Sequence, residues 1–210
     1  MEAHEIAEHI HGEHLGHGAR HAESAHEGLR KFTGIYLGIV AMLASLAALA
    51  GAHATKEMLN ANIQASDTYA FYQAKYLRQI DYQIAADQLE ILSAGENRLA
   101  PAATAQAAAL IKRYRDTAAQ YESDANSGTG KKELAAAAKV WERRRDHAAA
   151  QDPNFDFAEA LFQIAIVLGS VSIVATSRAL LVLSGCLTVG GVLLLLNGYL
   201  LLAPLELPLG

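Results

Sequence analysis

Three uncharged apolar runs constrain this chain more than any other feature of it. Phe32–Ala52 has 21 residues without a charge, Ala160–Ser177 has 18 and Ala179–Ala203 has 25, with Arg178 alone between the last two. A helix rises about 1.5 Å per residue, so about 20 apolar residues reach across a hydrocarbon core. A helix also pairs its own N–H and C=O groups, as a bilayer interior demands. The expected fold is therefore an all-α integral membrane protein. Transmembrane helices are expected at 32–52, 157–177 and 179–203, with a soluble helical domain over 53–156 and tails at 1–31 and 204–210.

Charge is partitioned around these runs. Residues 53–156 hold 13 Lys+Arg against 14 Asp+Glu. A nucleic-acid surface would show a basic excess, so no nucleic-acid partner is expected. The single cysteine, Cys186, excludes an intramolecular disulfide. The first run follows 31 polar residues and is long enough to span, so it reads as a retained anchor rather than a cleaved signal.

The N-terminal tail carries seven of the nine histidines, interleaved with six glutamates and four glycines. So polar a segment buries too little surface to offset its ordering entropy, and a mobile tail is expected. On a helix His14, His17 and His21 would share a face, and imidazole binds zinc, nickel or copper. These three are the candidate metal ligands. Gly12, Gly16 and Gly18 weaken such a helix, and a solvated tail titrating near 6.5 is the plainer reading. No cofactor is expected beyond that transition metal.

The first run carries Gly34, Gly38, Ala41 and Ser45 at steps of four and three, a small-residue stripe that suits close helix packing. No Gly or Pro interrupts the chain from Ala52 to Ala94. The first membrane helix is thus expected to run on into a long soluble helix. There Ile63, Ala70, Leu77, Ile84 and Ile91 recur every seven residues, with Leu59, Ser66, Gln73 and Ile80 as weaker companions. This is a coiled-coil seam with polar interruptions. Tyr69, Tyr72 and Tyr76 form a second stripe.

Two shorter helices are expected to return, at about 102–124 and 132–151. Ala107, Ile111, Tyr114, Ala118 and Tyr121 line the first, and Leu134, Trp141 and Ala148 the second. Asn126-Ser-Gly-Thr-Gly130 separates them, and Asp152-Pro153-Asn154 marks a break before the second span. The soluble part then reads as a helical hairpin that leaves the membrane and comes back. Arg78 and Asp81, three apart, can pair on its surface. The last two spans turn tightly at Thr176-Ser177-Arg178, with Gly169, Gly185, Gly190, Gly191 and Gly198 available for close approach.

Flanking charge bears on orientation. Arg20, Arg30, Lys31 and Arg178 on one side balance Lys56 and Arg143-Arg144-Arg145 on the other, and the first span's own flanks, Arg30-Lys31 against Lys56, favour an N-terminus in the cytoplasm with the coil on the far side.

The decapeptide Ser66-Asp-Thr-Tyr-Ala-Phe-Tyr-Gln-Ala-Lys75 resembles that of a bacterial membrane-protein family catalogued only as a domain of unknown function. Asp67, Tyr72, Gln73 and Lys75 carry the motif, and Phe155–Leu168 is similar too. The resemblance covers about residues 25–203 and implies one early and two late spans in a bacterial inner membrane. It implies no activity and no catalytic residues.

Signatures of catalysis are missing: no phosphate-cradling Gly-x-x-x-x-Gly-Lys, no nucleophile elbow, no His-Glu-x-x-His. The chain is expected not to be an enzyme. The leading expectation is a membrane scaffold or assembly protein acting as a homo-oligomer through helix–helix association. The alternative is an oligomeric channel or transporter component, with Gln163, Ser170, Thr188 and Asn197 facing the pore and the histidine tail responding to metal or pH.

Overall fold

The computed structural model describes residues 3–94 and 100–203, with backbone alone for 3–26, Leu29 and Pro101. Four helices follow in order, α1 (Ala3–Ala94), α2 (Pro101–Glu122), α3 (Lys131–Ala175) and α4 (Arg178–Leu200). There is no strand among the described residues. Three of the helices, α1, α3 and α4, hold stretches long and apolar enough to cross a membrane. Two compact units divide the chain, Met1–Ala54 with Ala150–Gly210, and Thr55–Ala149.

In the first unit α1 and α4 both run antiparallel to α3. Small residues make the crossings. Gly169 of α3 admits Leu37, since a Cβ there would sit 2.6 Å from Leu37 Cδ2. One turn of contacts further on, a Cβ on Gly191 would meet the Phe162 ring at 2.7 Å. Gly198 admits Phe155 in the same way, and Phe155 meets Tyr199 edge-on at 5.1 Å between centroids. Val40, Ala47, Ala50 and Ala54 of α1 close the core from the other side. Gly185 has open space around it and takes no part in a close crossing.

Hydroxyls and amides tie these helices where packing alone would allow sliding. Tyr36 Oη lies 2.8 Å from Ser184 Oγ and 2.7 Å from Thr188 Oγ1. Ser184, fully buried, donates to the Ala165 carbonyl at 2.6 Å. Asn197 Nδ2 donates to buried Asn154 Oδ1 at 2.6 Å. Such bonds between apolar helices are each worth about 1 kcal/mol.

The expected break at Asp152-Pro153-Asn154 is corrected: α3 continues through Pro153. Proline removes a helical N–H and usually ends or kinks a helix. Here Phe155, Ala158 and Phe162 are buried just beyond, and Asn154, itself buried, bonds to Asn197 of α4. That packing outweighs the local penalty. The tight turn at Thr176-Ser177 is as expected, with α4 beginning at Arg178.

The second unit is a hairpin only two helices thick. Both α2 and α3 run back along α1, one after the other. Tyr82 packs on Tyr114 and Tyr121 at centroid distances of 5.6 and 5.8 Å, and Glu90 pairs with Arg115, so α2 covers the later part of α1. Tyr69 Oη donates to Glu142 at 3.0 Å, so α3 covers the earlier part. Of the expected seams of the returning helices, Ala107, Ala118, Leu134 and Ala148 are buried and Ile111, Tyr114, Tyr121 and Trp141 half-buried, and Ala138, outside those seams, is buried too. α2 begins and ends within two residues of expectation, but α1 already begins at Ala3, inside the expected mobile tail 1–31, because no proline interrupts it; α3 does not stop at 151, and α4 ends three residues before 203.

The joint between α2 and α3 is held by its own side chains. Asp124 accepts from Ser127 N–H at 3.1 Å and from its hydroxyl at 2.6 Å. Gly128 takes φ +66, a left-handed conformation that glycine adopts without strain. Glu133, in the first turn of α3, accepts from Ser123 Oγ at 2.6 Å and Asp124 N–H at 3.2 Å.

Candidate functional site

Two features of the second unit stand out: a cation cluster where the three helices meet, and the opposite face of α1. The cluster forms because α2 ends and α3 begins beside Gln79. Gln79, 7% exposed, donates through Nε2 to the Ala118 carbonyl and to Glu122 Oε2, both at 3.1 Å. Lys131 Nζ donates to Gln79 Oε1 at 2.6 Å and to Glu122 Oε2 at 2.8 Å. The same ammonium lies 4.9 Å from the Tyr76 ring centroid and 5.9 Å from that of Tyr72. Lys75 sits between Phe71 and Tyr121, at 5.4 and 5.0 Å, and donates to Thr129 Oγ1 at 3.3 Å.

Among the described residues no buried side-chain nitrogen or oxygen of this cluster lacks a hydrogen-bond partner. The hydrogen bonds from Lys131, then that from Gln79, hold the Glu122 carboxyl below its ordinary value of 4.5. Ser127 lowers Asp124 and Ser123 lowers Glu133 in the same way. Cation–π contacts add about 0.5–1 kcal/mol each where exposed and more when desolvated. This is structural chemistry, which clamps the α2–α3 joint onto α1.

The decapeptide motif divides accordingly. Tyr72 and Lys75 point into the cluster, whereas Asp67 and Gln73 are exposed. Tyr69 and Tyr72, half-buried, thus belong to the face of α1 that α2 and α3 cover, with Tyr76 at its exposed margin beside Lys131. Gln79, Glu122 and Lys131 carry no mark in the sequence beyond Gln79 falling three residues after Tyr76.

The seven-residue seam faces the other way. Leu59, Ile63, Leu77, Ile84 and Ile91 are exposed, together with Ser66, Ala70 and Gln73. Nothing in α2 or α3 covers them, because a two-helix-thick hairpin covers α1 on one side only. In the first unit Gly34, Gly38, Ala41 and Ser45 are likewise exposed, and a Cβ on Gly34 or Gly38 would meet nothing within 4 Å. The small-residue stripe therefore does not make the crossings inside this chain; Val40, Ala47, Gly51 and Ala54 do.

The remaining candidates scatter. The side chains of His14, His17 and His21 lie outside the described residues, as does the tail 204–210. No ion pair joins Arg78 to Asp81; both line a shallow groove of about 480 Å³ beside Tyr82 and Tyr114. Gln163 is exposed and donates to Glu159 at 2.7 Å, and Ser170 donates to the Ile166 carbonyl of its own helix at 2.8 Å. Thr188 and Asn197 are engaged in helix packing.

A family model described as "Domain of unknown function (DUF4337)" matches residues 29–201. The chain belongs to this family. The match takes in α4 and α2 whole, the three apolar runs nearly to their ends, and both compact units. No curated protein and no solved structure matches the chain.

Proposed function

We propose that this DUF4337 protein is a non-enzymatic scaffold of a bacterial inner membrane, whose copies associate side by side through the exposed face of α1. The observation that carries the reading is the uncovered seven-residue seam at Ile63, Leu77, Ile84 and Ile91. A 3.5-residue repeat of apolar side chains is the pattern by which one helix packs along another. Anchored copies all stand the same way in a membrane, so their seams run parallel and each residue faces its own counterpart. The open Gly34 and Gly38 positions suit a second contact between copies in the first unit.

Membrane insertion is supported by the outward apolar surface of the first unit. Ile35, Ile39, Met42, Val167, Val182, Val189 and Leu193 are all exposed. A contiguous surface of that kind has no place in water. Because α1 and α4 are parallel, Arg30, Lys31 and Arg178 fall at one end of this unit, the end we assign to the cytoplasm. The channel alternative draws less support, since Thr188 and Asn197 spend their polar atoms within the bundle.

Cysteine crosslinking tests the reading directly. In a Cys186→Ser background, Leu77→Cys should form a covalent dimer in membranes on mild oxidation, whereas Lys112→Cys on exposed α2 should not. No dimer at Leu77, or equal dimer at both positions, would sink it. Alkaline extraction of the same membranes should leave the chain in the pellet.

A further inference from the structure

At the turn end of the first unit, a cavity of about 520 Å³ opens between α1, α3 and α4. Arg30, Thr33, Ser172, Thr176, Ser177 and Leu181 line it. Its composition is uneven in an informative way: one guanidinium, four hydroxyl-bearing side chains and no carboxylate. Among the described residues Arg30 has no acidic partner, whereas its neighbour Lys31 is paired with Glu27 at 2.8 Å. Ser177 begins α4 without making a side-chain capping bond. Ser172, by contrast, already donates to the Gly169 carbonyl at 2.7 Å, so it shapes the floor.

The backbone at the rim is unusual too. Thr176 has φ +48, in the left-handed region that a β-branched residue rarely adopts. It is held there by the turn, where the Ser177 N–H bonds to the Ser172 carbonyl at 3.3 Å. Thr176, exposed, lines the cavity together with Arg30.

The register of the helices fixes where this cavity lies. Tyr36 bonds to Ser184, and Arg30 and Arg178 each precede those residues by six positions on parallel helices. The cavity is therefore level with the first residues of two apolar spans, at the depth of lipid headgroups if the unit is embedded as proposed above. Ile173, Val174 and Leu181 form its other wall, and Val174 is almost wholly exposed.

We propose that this cavity binds the phosphodiester of an anionic phospholipid, with Arg30 pairing with the phosphate, the Thr176 and Ser177 hydroxyls on its ester and glycerol oxygens, and an acyl chain against Val174 and Leu181. An arginine fork matches a phosphate bidentately, and such charge-assisted bonds are the strong ones. A volume of this size falls in the range of small-molecule sites. The inference rests on the membrane reading, and the test keeps the two apart.

The full chain, purified in mild detergent, is examined by native mass spectrometry after mixing with phosphatidylglycerol or phosphatidylcholine. Phosphatidylglycerol should be retained in preference, and Arg30→Gln should reduce that retention about tenfold, the loss of one charge-assisted pair. Thr176→Gly should reduce retention as well while melting no lower than the parent chain, because glycine relieves the left-handed strain. That combination separates a lost ligand contact from a damaged fold. Equal retention of phosphatidylcholine, unchanged binding in Arg30→Gln, or displacement of the lipid by millimolar inorganic phosphate would each overturn the assignment. Recovery of the chain from the aqueous fraction without detergent would overturn the membrane reading beneath it. A chain that stays with membranes but shows no lipid preference removes the cavity assignment alone.

Discussion

Replacing Leu77 and Ile84 together by alanine should dissolve the association of copies while leaving each copy folded. Fully burying a leucine or isoleucine side chain is worth about 2 kcal/mol. Leu77 is 62% exposed and Ile84 48% exposed in the single chain, so about 1 kcal/mol per side chain remains to be gained by association. Two positions on two copies give about 4 kcal/mol, roughly a thousandfold in the dimer dissociation constant. The same arithmetic allows a cost to the fold of up to about 1 kcal/mol per side chain for the part already covered, too little to unfold the hairpin. The assay is dilution of fluorescently labelled full-length chain in lipid vesicles, read by energy transfer, alongside helical melting by circular dichroism. Val140→Ala on α3 serves as the control, a similar apolar truncation off the seam. If the double variant associates as tightly as the parent, the seam is not the interface. If it melts many degrees lower, the two residues serve the hairpin and the premise about their exposure is wrong.

Three further outcomes follow from the described contacts. Lys131→Met should lower hairpin stability by about 1.5–3 kcal/mol, because Glu122 and Gln79 lose a charged donor; Trp141 fluorescence during urea unfolding reads it, and an unchanged midpoint would contradict the clamp. The carboxyls of Glu122, Asp124 and Glu133 are held below their ordinary values by their hydrogen bonds, so their stabilisation is present above the ordinary carboxylate range and is lost as pH falls through the lowered values. The Trp141 midpoint should therefore drop on acidification below about pH 4, less steeply in Glu122→Gln, and a flat profile would refute it. Gly191→Ala places a methyl 2.7 Å from the buried Phe162 ring and should cost about 1–3 kcal/mol by overpacking, whereas Gly185→Ala, with open space around it, should be neutral by thermal melting in detergent.

How much of this was legible in the residues depends on the kind of interaction. The three apolar runs and the two return seams were readable because helical periodicity is a local property, and Ala107–Tyr121 and Leu134–Ala148 are covered as their spacing implies. The direction each face of α1 points was not. Two apolar stripes on one helix give no local sign of which is covered, and it is the tyrosine stripe, bonded to Glu142 and stacked under Lys131, that meets α2 and α3. The small stripe at Gly34–Ser45 illustrates the same limit: close packing was expected of it, yet the internal crossings use the glycines of α3 and α4 against Leu37, Phe162 and Phe155. Pro153 misled for a related reason. A proline is a local penalty, whereas the Asn154–Asn197 bond and the seat of Phe155 against Gly198 that offset it depend on residues far along the chain. The Gln79–Glu122–Lys131 cluster joins three separated positions, and no spacing rule links them.

The Asn154–Asn197 contact has a consequence for assembly. Asn197 does two jobs: its side chain accepts from the Ala203 N–H at 3.0 Å and donates to the Ala203 carbonyl at 2.8 Å, and it also satisfies Asn154. Until Asn197 has reached α3, Asn154 Oδ1, in the core of the unit, lacks this donor. A chain that stops before Asn197 thus leaves a polar atom unpaired in an apolar setting, at a cost of about 1–3 kcal/mol. The far end of α4 therefore completes the polar pairing of α3 one residue beyond its proline, and the two helices come to rest together.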